Sequence, residues 1–76
     1  MNEKDAVTSN HVRYLRKSYR MTQEELAERA GLAPRTIQSV ERRGRCRQDT
    51  KRKIVAAFGF DFKNPSERGR VFPLPS

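Results

Sequence analysis

Eight arginines and lysines crowd one stretch of the chain: Arg35, Arg42, Arg43, Arg45, Arg47, Lys51, Arg52 and Lys53. Residues 31–60 hold only 2 acids against them, Glu41 and Asp49. Residues 1–30 hold 6 basic and 5 acidic side chains, and residues 61–76 hold 3 and 2, so the positive charge is local. Guanidinium and ammonium groups grip oxyanions, and a dense basic stripe is the footprint of a polyanionic partner. The competing reading is a solvated face that only keeps the chain soluble. Concentration of the charge in one segment favours the polyanion.

Other chemistries find too few groups. His11 and Cys46 are the only histidine and cysteine, which excludes a framework disulfide and a Cys/His zinc site. No nucleophile–base pair, metal set or phosphate loop is visible, so neither an enzyme nor a cofactor is expected. Cys46 reads as a small loop residue; its arginine neighbours raise the alternative of a lowered thiol pKa and oxidant sensing. No apolar run approaches a membrane span or a signal-peptide core, and a reducing cytoplasm is expected. Seventy-six residues make one small domain with a thin core.

The elements that must position the basic residues follow from caps and periodicity. A first helix is expected at roughly 10–18, with Thr8, Ser9 and Asn10 as possible caps and Val12, Leu15 and Tyr19 facing inward. Thr22 and Glu25 form a capping box for a second helix at about 23–30, with Leu26, Ala27 and Ala30 on its buried side. Gly31 supplies the positive φ of a sharp stop, and Leu32 plugs the corner. Pro34 suits the first position of a third helix, about 34–42, with Ile37 and Val40 inward. Ala33 before it cannot cap by side chain. A fourth helix at about 48–58 carries Ile54, Val55, Ala57 and Phe58, and Gly59 ends it. Proline and glycine argue against a long helix beyond.

Two short helices joined by a tight glycine turn describe a helix-turn-helix unit. With LRK at Leu15–Lys17, TQEELAERAGL at Thr22–Leu32, RTIQSVERRG at Arg35–Gly44 and AAFGFD at Ala56–Asp61, the chain resembles the Cro/CI-type (XRE) helix-turn-helix regulators of phages, plasmids and bacteria. The resemblance covers about Val12 to Asp61. It implies an all-α, compact four- to five-helix bundle whose third helix enters the DNA major groove. Residues 1–8 are polar and are expected to form a flexible N-terminus, with a DNA-binding domain at 9–61 and a candidate dimerising tail at 62–76. The resemblance also implies an internal pair, Arg16 with Glu41.

On that footing the expected base readers are Arg35, Thr36 and Ser39, with Gln38 on the flank and Pro34 limited to apolar contact. Expected phosphate contacts are Gln23 at the start of the second helix and Arg42, Arg43, Arg45 and Arg47 around the following loop. Two departures stand out. Pro34 occupies a place where many relatives carry a hydrogen-bonding side chain, and ERRG puts arginine where the family usually has its glycine, with Gly44 one place later, so that loop is expected to differ. The implied function is a sequence-specific, double-stranded-DNA-binding transcription regulator, a repressor acting as a homodimer on a pseudo-palindrome. Phe60, Phe62, Val71, Phe72 and Leu74 either pack back on the core or form a dimer face. The alternative is a DNA-binding antitoxin whose tail binds a protein partner. RNA binding ranks low, because no strand-borne aromatic platform is present.

Overall fold

Thr22 starts the central corner of the molecule. In the computed structural model, which describes residues 10–44 and 46–73, its hydroxyl accepts from the Glu25 N–H at 3.0 Å. Glu25 in turn accepts from the Thr22 N–H at 2.8 Å. This capping box opens a helix over Gln23–Ala30. Five helices are described: α1 Val12–Ser18, α2 Gln23–Ala30, α3 Pro34–Arg43, α4 Gln48–Ala57 and α5 Pro65–Val71. No strand occurs among the described residues. The expected all-α bundle with a helix-turn-helix is present.

Three helices end in the same way. After α2, Gly31 takes φ 71, its N–H bonds the Glu28 carbonyl, and the Leu32 N–H bonds that of Ala27 at 2.8 Å. After α4, Gly59 takes φ 85, and the Phe60 N–H bonds the Val55 carbonyl at 3.1 Å. These are Schellman closures on glycine, as the sequence led one to expect. After α1 the same closure forms on Arg20, at φ 57, with the Met21 N–H on the Arg16 carbonyl at 2.9 Å. Arginine in that region is strained by roughly 1 kcal/mol. Expected at roughly 10–18, α1 starts later, at Val12, and ends at Ser18, which leaves Tyr19 just beyond the helix. It was expected to face inward and is instead 48% exposed, with its ring tilted against Phe58 at 5.6 Å.

α3 begins on Pro34, after an Ala33 that makes no side-chain cap, and runs one residue further than expected, to Arg43. Gly44 then closes it at φ 81. Arg43 of ERRG thus lies within the helix, and Gly44 follows as its left-handed cap.

The core is drawn from every helix: Val12, Leu26, Ile37, Val40, Ile54, Val55 and Val71 are fully buried. α5 is the element least visible in the sequence. Asn64 caps it, accepting from Ser66 N–H at 2.9 Å and Glu67 N–H at 3.4 Å, with Pro65 in its first position. Val71 and Phe72 then enter the core. One buried polar residue ties these parts together. Asn10 accepts from the Val12 N–H at 3.0 Å and donates to the Val40 carbonyl at 3.1 Å. Its neighbour His11 donates its backbone N–H to the Val71 carbonyl at 2.7 Å. The start of α1 thus holds α3 and α5 at once.

Candidate nucleic-acid interface

Ile37 and Val40 bury one side of α3, and helical spacing turns Arg35, Gln38, Ser39 and Arg42 to the other. Pro34, Arg35, Gln38, Arg42 and Arg43 are exposed. Thr36 and Ser39 are half-buried, so Gln38 is more accessible than the two short side chains ranked above it from spacing. Arg47 stands exposed just before α4. Arg45 lies outside the described residues.

What holds this face is a knot of hydrogen bonds under the end of α3. Glu41 accepts from Arg16 Nε at 2.7 Å and Nη2 at 3.2 Å. The two side chains are only 11% and 7% exposed. Arg16 Nη1 also donates to the Met21 carbonyl at 2.8 Å, so each of its three guanidinium nitrogens donates a hydrogen bond. Removal from water makes such a bidentate pair geometrically demanding. The pair implied by the resemblance is therefore formed, and it joins α1 to α3.

Gln23 completes the knot. It is half-buried, and its amide donates to Glu41 Oε1 at 3.2 Å. The side chain assigned to phosphate contact is thus partly committed inside the protein, holding the start of α2 against the last turn of α3. Sequence reasoning found neither this bond nor the Asn10–Val40 tie. Both join residues far apart in the chain, and no local spacing signals them.

Beyond α3 the remaining candidates separate. Val71 and Phe72 spend their side chains on the chain's own core, whereas Phe60 and Phe62 are half-buried at its edge. Leu74 lies outside the described residues. The Cys46 thiol is pushed up from its ordinary pKa by burial, partly offset by the nearby Lys51 charge. The suggested lowering of that pKa is therefore corrected: burial outweighs the charge of Lys51. Among the described residues no group of three or more His, Cys, Asp or Glu side chains could hold a metal. No helix among them is long and apolar enough to cross a membrane.

A family model described as helix-turn-helix matches residues 12–63, well over half of the chain. The match spans α1 to α4, the residues that build the knot and the exposed face of α3. No curated protein and no solved structure matches the chain. By its matched residues and its fold, the chain belongs to the helix-turn-helix family of the XRE type, whose members are DNA-binding regulators.

Proposed function

We propose that the protein is a repressor that occupies a pseudo-palindromic operator as a homodimer, with α3 of each protomer in the major groove. The observation that carries the reading is the exposed line of Arg35, Gln38 and Arg42 on a helix whose far side is pinned by Arg16, Glu41 and Gln23. A rigid helix with long donors on its outer face suits base-edge recognition.

Arg35 addresses guanine through O6 and N7, and Gln38 addresses adenine through N6 and N7. Ser39 and Thr36, shorter and half-buried, meet only close base edges or bridging water. Pro34 offers apolar contact to a thymine methyl. Arg42, Arg43, Arg45 and Arg47 grip phosphates. Gln23 gives one amide hydrogen to Glu41 and turns the other, with the free N–H groups at the start of α2, toward a phosphate. With α2 held on α3 through Glu41, phosphate contacts at the start of α2 would set the angle at which α3 enters the groove.

The test is selection from random duplex DNA at a fixed salt concentration, read by sequencing. The expected result is a pseudo-palindrome with half-sites about one helical turn apart. Recovery of no motif, with binding that vanishes as salt rises, would reduce the protein to a non-specific polyanion binder.

A further inference from the structure

The apolar residues after α4 are not all absorbed by the core. Phe60 and Phe62, half-buried, join Ala56 on α4 to line an open groove of about 530 Å³. Arg52, Lys63 and Arg68 stand around it with a single acid, Asp61. The arginines are held in place by the rings. Arg52 and Arg68 lie 5.8 and 5.5 Å from the Phe62 centroid, and Arg70 lies 5.2 Å from that of Phe60. Arg68 Nη1 also donates to the Phe62 carbonyl at 3.1 Å. Stacking orients these guanidiniums without neutralising them. The ion pairs among the described residues, Arg16–Glu41 and Lys53–Asp49, lie elsewhere. Asp61 turns Oδ1 to its own loop, accepting from the Lys63 N–H at 3.0 Å.

We propose that this groove docks an acidic segment of another protein. An apolar side chain of the segment enters between Phe60 and Phe62, and its carboxylates meet Arg52, Lys63 and Arg68. Charge decides between the possible occupants. A second copy on a two-fold axis would set the three cations against themselves, on chains that each carry a formal charge of +8. Single-stranded nucleic acid would need open ring faces for base stacking, and two guanidiniums already lie over Phe62. A small ligand would stay largely uncovered in so open a groove. An acidic chain segment matches both the apolar floor and the cationic rim. None of the groove's lining residues lies on α3, so the proposal does not rest on operator recognition.

The test is selection of random dodecapeptides displayed on phage against the full chain, with no DNA present. Counter-selection uses the double variant Arg52→Glu/Lys63→Glu. Both positions are exposed, and an unchanged circular dichroism spectrum checks that the variant folds. The expected winners combine several acids with a Leu, Met or Phe. A labelled winner should bind the wild type tighter than the variant by about tenfold or more, the scale expected when attractive charge contacts become repulsive. Absence of any enriched sequence, or enrichment of sequences without acids, overturns the proposal. So does a winner whose affinity is unchanged in the variant. A wild-type dimer in sedimentation equilibrium that the double variant dissociates would assign the groove to a second copy and overturn it as well. Failure to select an operator would leave each of these outcomes untouched.

Discussion

At the scale of single residues, exposure separates what a side chain can read from what it must hold. Arg35 is exposed on the first turn of α3, so Arg35→Ala should relax preference at one base pair and weaken the specific complex by about 1–3 kcal/mol. Equal losses on specific and random duplexes, measured by anisotropy, would make Arg35 a phosphate clamp instead. Cys46 allows a signed pH prediction. Its pKa in the folded chain lies above the ordinary value of 9.0 because burial disfavours the thiolate. The folded state therefore keeps the proton that the unfolded state releases. Any stability this contributes is fully present below the unfolded pKa and is lost as pH rises through the folded one. Urea midpoints should fall in mildly alkaline buffer, and Cys46→Ser should lessen that fall. At neutral pH the thiol should react with iodoacetamide more slowly than a free cysteine.

At the scale of elements, the recognition corner depends on one carboxylate. Glu41 receives Arg16 from α1 and Gln23 from α2, so Glu41→Ala would leave a nearly buried guanidinium without its partner. The expected loss is on the order of 3 kcal/mol, read as a shift in the urea midpoint. Replacing both partners, Arg16→Met with Glu41→Leu, should return much of it, since paired apolar replacements avoid the stranded charge. If the single variant melted like the wild type, the knot would contribute nothing to the fold. The start of α3 carries the opposite opportunity. Ala33 already has the extended φ −79, ψ 148 of a cap but no side-chain acceptor. Ala33→Asp should stabilise the chain by about 1 kcal/mol through capping and the helix dipole. The same carboxylate, one residue before α3, should weaken DNA binding and lower its salt sensitivity, because salt screens the new repulsion. A variant that gained both stability and DNA affinity would mean that the start of α3 stands away from the phosphates.

At the scale of the whole molecule, the segment after α4 completes the core. Phe72 is 6% exposed, and Val71 is fully buried and also receives the His11 N–H. Phe72→Ala should remove about 3–5 kcal/mol, a large share of what so small a domain has. Because the contact is within one chain, the change in thermal midpoint should be the same at low and high protein concentration. A midpoint shift that grew on dilution would instead place Phe72 between subunits.

Much of this architecture was legible in the sequence because it obeys local rules. The Thr22/Glu25 box, the stops at Gly31, Gly44 and Gly59, the start on Pro34 and the inward Leu26, Ala27, Ile37 and Val40 each follow from a few neighbouring residues. α5 was signalled too, by Asn64, Pro65 and Glu67, but Gly69 and Pro73 masked it. The tertiary structure decided everything that needs a partner distant in the chain. It committed Gln23 to Glu41 and Asn10 to Val40, placed Gln38 further out than Thr36, drew Val71 and Phe72 inward while leaving Phe60 and Phe62 at the edge, and raised the Cys46 pKa where nearby arginines had suggested a fall. Caps and turns are energies between neighbours, which a sequence displays directly. Burial and long-range hydrogen bonds exist only once the helices have closed on one another.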